Sequence, residues 1–412
     1  NDVNDSGLAG AVRLLLNDAA YNAGTGETFP ITLNINGPGT SAVKTLTIKP
    51  NTGVISTISG AAAANVIFKV FNTNYVTFDG SNTPEGATRD LSIENTSAAA
   101  NFVILYGSKD QTPITNGTIK NCNIKNGTIN SSALVISDGS IIGNDGYFSN
   151  MTIQNNSIQK AYIGAYATGG TIPQYGSNLI YTQNTLTSTG VNAIRRVGLY
   201  MGGVNGATVT QNSIANLESA SSEIDAGVWL GLGTINATVS GNTISSMGYT
   251  GISSNNPIGI YVTSSVSASG NLITQNSISS ITGTGSSSIA HVTGISVGFS
   301  SGGVTIERNI VTNIGNNNTA TFPAVGIDLN GGNNNVVRNN MVSRVYDDQT
   351  AGSGAFTPQF AATGIRINAG TGHQVYFNTV NMFGVQTGNV STNLNSALAI
   401  FLTSSTDCDI RN

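Results

Sequence analysis

The sequence predicts an all-β fold: a single-domain right-handed parallel β-helix, or solenoid, of about a dozen coils with a capping helix at its N-terminus. Three observations carry this. A short Asn-centred unit returns every 28 to 39 residues, a second ladder of Gly-led strands falls between its occurrences, and the composition joins 50 Gly and 39% hydrophobic residues to only 9% charged ones. A fixed period of that size marks a stacked repeat. Disordered chains show the opposite balance of charge and β-branched residues.

In chain order, residues 6 to 22 differ from all that follows. Leu8, Val12, Leu15 and Ala19 stand at helical spacing with Ser6 available as an N-cap, so a helix over this stretch is expected to cover the first coil. Residues 1–30 are therefore assigned to an N-terminal capping segment and 31–412 to the β-helix. The alternating runs Ile31 to Asn36 and Leu46 to Ile48 are the first expected strands.

The Asn unit is plainest in Ile153-Gln-Asn-Asn156-Ser-Ile158 and Val209-Thr-Gln-Asn212-Ser-Ile214, with an apolar residue three before the Asn and another two after it. It recurs at Asn184, Asn242, Asn276, Asn309, Asn339 and Asn378, and at Ile119 to Ile124 with Cys122 in the Asn place. The spacing implies a buried column in which amides bond one another from coil to coil. The second ladder runs through Gly198-Leu-Tyr-Met, Gly227-Val-Trp-Leu, Gly259-Ile-Tyr-Val, Gly294-Ile-Ser-Val, Gly326-Ile-Asp-Leu and Gly364-Ile-Arg-Ile, with Gly164-Ala-Tyr-Ala and Ala399-Ile-Phe-Leu extending it. Strand alternation turns the apolar residues inward and the residues between them outward. Gly and Asn suit the tight corners that join successive strands.

Insertions between Asn and the next Gly lengthen toward the C-terminus, whereas the Gly-to-Asn interval stays nearly constant. One side of the coil should thus carry a wall of loops. The longest, around Arg344 to Phe360, holds Asp347, Asp348, Phe356 and Phe360. Cys408-Asp-Ile-Arg-Asn412 starts a further coil, so the natural protein is expected to continue, with end-to-end contact to further domains.

The outward row of the Gly ladder reads Tyr166, Tyr200, Trp229, Tyr261, Ser296, Asp328, Arg366 and Phe401. Four successive aromatics could stack on sugar rings or simply on each other. Asp328 and Arg366 stand one coil apart, either as a surface ion pair or, with Asp347 and Asp348, as the remains of an acid–base set. No Gly-His-Gly, Asn-x-Asp or Arg-x-x-Lys cluster accompanies them.

Other classes have little to rest on. A net charge of -4 with 16 Lys plus Arg offers no stripe for nucleic acid, and no apolar run is long enough for membrane insertion. His291 and His373 are the only histidines and neither has a second ligand type at metal spacing, so neither a metal nor a cofactor is expected. Cys122 and Cys408 lie too many coils apart for a disulfide and read as packing residues.

The tandem repeats resemble those of the pectate-lyase-like superfamily of parallel β-helices. Asn74-Tyr-Val-Thr-Phe-Asp-Gly80 followed by Ile-x-Asn coils is similar to stretches of large secreted and surface proteins of Bacteroidota. The resemblance covers most of the chain and implies the fold; it leaves activity open, because that superfamily includes lyases, hydrolases, phage tailspikes and adhesins. The expected function is a non-catalytic extracellular or cell-surface module, a stalk or adhesin binding polysaccharide or cell-surface glycan along Tyr166, Tyr200, Trp229 and Tyr261. The alternative is a polysaccharide lyase or glycoside hydrolase using Asp328, Arg366, Asp347 and Asp348.

Overall fold

Each coil is built from three short strands separated by sharp corners, because its apolar residues alternate over only three to seven residues before a turn residue intervenes. The computed structural model describes residues 2–35, 39–62, 65–99, 101–171, 173–217, 223–250, 256–284, 291–298, 300–316, 323–347, 361–383 and 397–411. Strands of successive coils pair in parallel, giving three sheets in a parallel β-solenoid with right-handed crossovers.

Two units are distinguished: Asn1–Ile194 with Tyr200–Asn212, and Arg195–Leu199 with Ser213–Asn412. In the N-terminal unit the first sheet begins with Val12–Leu16, Leu46–Pro50 and Val76–Asp79, the second with Ala20–Tyr21 and Ser56–Gly60, and the third with Ile31–Leu33 and Phe68–Phe71. In the C-terminal unit the first sheet begins with Thr238–Ser240, the second with Ser213–Ala215 and Thr243–Tyr249, and the third with Asp225–Leu230 and Pro257–Val262. Inward residues such as Ile93, Ile124 and Ile158 in one unit, or Ile278, Val311 and Val342 in the other, are essentially sealed from water. Burial of these aliphatic columns is the main stabilising term, at about 25 cal/mol per Å² of apolar surface.

The Asn column forms as the spacing demands. Asn156 Nδ2 donates to Ile119 O (2.9 Å) in the coil before, while its N–H and its amide both donate to Asn184 Oδ1 (3.0 and 3.1 Å). Asn184 meets Asn212 in the same way, and Asn242, Asn276 and Asn309 repeat it in the C-terminal unit. Cys122 takes the first place, its N–H donating to Asn156 Oδ1 at 2.9 Å.

One register is corrected. The column continues through Asn340, which accepts from Asn309 N–H and Nδ2 (both 3.0 Å) and donates to Asn378 Oδ1 (3.0 Å). Asn339 is exposed in a left-handed conformation (φ 54°). Choosing Asn339 had put Val336 and Met341 in the core places, which Val337 and Val342 fill. The same conformation occurs before every column Asn, at Asn155, Gln183, Gln211, Gly241, Gln275, Arg308 and Phe377. The strained corner residue is thus the neighbour of the ladder Asn.

The helix expected over residues 6 to 22 does not form. Helix is confined to Asp2–Ser6, where Asn4 donates to Thr32 O (2.8 Å) and accepts from Asn34 N–H (2.9 Å), and Leu8 behind it is buried. Val12–Leu16 is a strand in register with Leu46–Pro50, tied by Val12 N–H to Thr45 O (2.8 Å). Four apolar residues at helical spacing lose to a full parallel rung of backbone hydrogen bonds, a case of tertiary pairing overriding local propensity.

Candidate functional site

The third sheet presents the outward row, and its glycines explain how the strands come to lie there. A Cβ on Gly259 would fall 2.5 Å from Gly294 O and 2.6 Å from Ile278 Cγ2, and one on Gly294 would meet Val311 Cγ1 at 2.4 Å. These positions are glycine for close approach to the second sheet. None of them has positive φ, so the corner role expected of them belongs to the residues before the column Asn.

In the C-terminal unit, Val228 and Leu230, Ile260 and Val262, Ile295 and Val297, Ile327 and Leu329, and Ile365 and Ile367 face the core. Between them Trp229, Tyr261, Ser296, Asp328, Arg366 and Phe401 stand in direct register, as alternation predicts. Trp229 and Tyr261 are half-buried, with ring centroids 5.0 Å apart and planes at 47°. Trp229 Nε1 donates to Thr263 Oγ1 (2.7 Å), and the Arg196 guanidinium lies 5.3 Å above its ring. Burial raises the Tyr261 hydroxyl pKa, and the Asp328 carboxylate raises it further.

Beyond the aromatics the row becomes polar and closed to solvent. Ser296, Asp328 and Arg366 are only 3%, 2% and 7% exposed. Arg366 grips Asp328 with two parallel bonds, Nε to Oδ1 at 2.8 Å and Nη2 to Oδ2 at 2.6 Å, and Asn330 Nδ2 adds a third at 2.6 Å. The pair is thus buried, which corrects its reading as a surface ion pair. His291, just before the strand Val292–Val297, lies within electrostatic reach. Its pKa falls to about 4, chiefly through burial and then through the Arg366 cation, with Asp328 opposing. Its imidazole is therefore neutral at pH 7.

The remaining candidates are distributed as follows. Asp347 ends the second-sheet strand Met341–Asp347, buried and in register with Asn316. Asp348, Phe356 and Phe360 lie outside the described residues, as do most of the long insertions expected to form a wall. In the N-terminal unit Tyr166 and Tyr200 stack with centroids 4.9 Å apart and planes at 13°. Tyr166 also packs with Phe102 and Ile142 over the buried cluster Val66, Leu105 and Val135, and its hydroxyl donates to Gly143 O (3.3 Å). Arg338 stands in register with Glu307, its Nε donating to Oε2 at 2.7 Å.

Sequence reasoning weighed His291 only as a metal ligand and not as a neighbour of Asp328 and Arg366, because it lies outside the repeat motifs, and it missed a second polar column at the corner between the third and first sheets. There Asn271 Oδ1 accepts from Ala237 N–H (2.9 Å), Asn335 Oδ1 from Val304 N–H (2.9 Å), and His373 Nδ1 from Asn335 N–H (3.3 Å). His373 Nε2 lies 3.0 Å from Ala369 O, which fixes the tautomer as Nε2–H. The shared pattern Asn271-Leu-Ile and Asn335-Val-Val, with the buried apolar residue two after the Asn, was the available signal. Among the described residues both cysteines are free, and no group of three or more His, Cys, Asp or Glu could hold a metal.

No family model matches the chain, and no curated protein does. Among solved structures it is similar to the lacto-N-biosidase of Eubacterium ramulus (TM-score 0.49, 11% identity, 82% of this chain and 58% of that one). It is also similar to the A-module of an Azotobacter vinelandii mannuronan C-5 epimerase (0.40, 13%, 100% and 93%). A third is a mannuronic acid specific polysaccharide lyase from human gut microbiota (0.39, 12%, 92% and 79%). The chain spans 58% of the length of the first of these; all three are polysaccharide- or glycan-directed enzymes by name.

Proposed function

We propose that the chain is a carbohydrate-active β-solenoid, a polysaccharide lyase or glycoside hydrolase, with a glycan held at the half-buried Trp229–Tyr261 end of the outward third-sheet row of the C-terminal unit and its reacting end directed to the covered Asp328–Arg366 pair. One observation carries this reading: the Asp328–Arg366 pair is buried on a row that strand alternation turns away from the core. Desolvating two charges costs about as much as their attraction returns, so such a pair adds little to stability and is read here as kept for function.

In this reading Trp229 and Tyr261 form a stacking platform, and Arg366, held by Asp328, supplies a fixed cation for a sugar carboxylate or for charge that develops in the reaction. Neutral His291 can accept a proton from substrate or water. A hydrolase would need a further carboxylate, for which Asp347, at the end of the second-sheet strand Met341–Asp347, is the candidate among the described residues. The non-catalytic adhesin reading has its own support, since Asp328 is already occupied by three donors. Either activity belongs outside the cytoplasm, where polysaccharide is met.

The test is a panel of acidic and neutral polysaccharides scored for binding and for release of unsaturated or reducing ends. Unsaturated ends identify a lyase and reducing ends alone a hydrolase. Binding without either supports the adhesin reading.

A further inference from the structure

The N-terminal unit carries a second polar cleft, on a different sheet from the row just described. It is about 500 Å³ in volume and lies over the outer face of the first sheet, lined by Arg13, Lys49, Asp79 and Lys120 among others. Two adjacent columns build it. Arg13, Thr47 and Thr77 stand in register on three successive strands, and beside them Leu15 pairs with Lys49, and Asp79 with Lys120.

Asp79 organises the cations. Its side chain is nearly buried and accepts from Asn121 Nδ2 (2.8 Å) and Ser81 N–H (3.2 Å), which fixes it in place. Lys49 Nζ stands 3.9 Å and Lys120 Nζ 3.3 Å from its other oxygen. An ammonium has three donors, so each lysine keeps donors for a ligand while its position is held. Arg13 makes no ion pair among the described residues and is exposed at the rim. Glu85 also lines the cleft, so three cations face two carboxylates, a small local excess of positive charge in a chain of net charge -4.

We propose that this cleft binds an acidic oligosaccharide, one carrying carboxylate or sulfate groups. Lys49 and Lys120 reach in from strands two coils apart and converge on one oxygen of Asp79, which brings their ammoniums within about 7 Å of each other. A single carboxylate or sulfate of a bound sugar would thus meet both lysines, with the Thr47 and Thr77 hydroxyls alongside for the sugar's own hydroxyls. The volume suits a short oligosaccharide and is far larger than a single inorganic ion requires.

The experiment is calorimetric titration of the full chain with tetragalacturonate and with a sulfated heparin-derived tetrasaccharide, against neutral cellotetraose and inorganic sulfate. The acidic tetrasaccharides are expected to bind, more weakly as salt rises, and cellotetraose not to bind. Arg13→Ala with Lys120→Ala should weaken binding about tenfold or more, and Lys120→Arg should restore most of the loss at that position. Both positions are at the surface, and an unchanged melting temperature confirms the fold. Trp229→Ala should leave this binding intact, which separates it from the third-sheet reading. The proposal is overturned if neither acidic tetrasaccharide binds, if the double variant binds as the parent does, or if inorganic sulfate binds as tightly as the tetrasaccharides.

Discussion

A single residue step separates the two asparagines whose roles the sequence confuses. At Val336-Val-Arg-Asn-Asn340 both an apolar doublet and an Asn doublet are available, so the offset rule fits twice, and only burial decides. Asn340 should therefore be the sensitive one: Asn340→Ala removes the acceptor of Asn309 N–H and Nδ2 and should cost about 1–3 kcal/mol, read as a lower melting temperature. Asn339→Gly, at an exposed left-handed position, should be neutral or stabilising. The reverse order of effects would restore the first register. Histidine gives a pH prediction. Burial depresses the pKa of both His291 and His373 below the ordinary 6.5, His291 to about 4. Above pH 6.5 both states are neutral and nothing is lost. Below it the unfolded chain takes up protons that the folded chain refuses, so stability should fall from about pH 6.5 down to about pH 4. Melting curves across that range should flatten in a His291→Gln, His373→Gln double variant.

The strands and their facing were legible because alternation and glycine spacing are local properties. Trp229 and Tyr261 follow from the residues on either side of them, and the structure sets them in register as read. The N-terminal strand was not legible and read as helix, since Val12–Leu16 is a strand only by virtue of Leu46–Pro50, thirty-four residues later. Burial of Asp328 and Arg366 was equally hidden, because what covers an outward position depends on segments outside the repeat. At this scale Trp229→Ala is the informative change. Its ring is half-buried on the outer face, so the fold should persist, whereas affinity for an extended glycan should drop roughly fivefold or more. Unchanged affinity in binding isotherms would make the Trp229–Tyr261 pair a structural contact only.

Over the whole chain the repeat fixes most of the architecture, and each unit stacks the same three-strand coil. Function is less legible, because the insertions that vary from coil to coil carry no periodicity of their own. Stability should vary along the stack: the third-sheet strand Ala397–Leu402 is largely exposed, whereas Ala324–Leu329 is sealed. Amide exchange should accordingly be much faster in the former, and equal protection would count against this difference in burial. The central claim, that glycan is processed where Asp328 and Arg366 are buried, is most directly tested by the rate of end-group release from the polysaccharide that the parent chain cleaves. With melting curves showing each variant folded at the assay temperature, Arg366→Ala and Asp328→Asn should each lower that rate by about a hundredfold or more. A rate unchanged in both, or no cleavage of any polysaccharide by the parent chain, would contradict it.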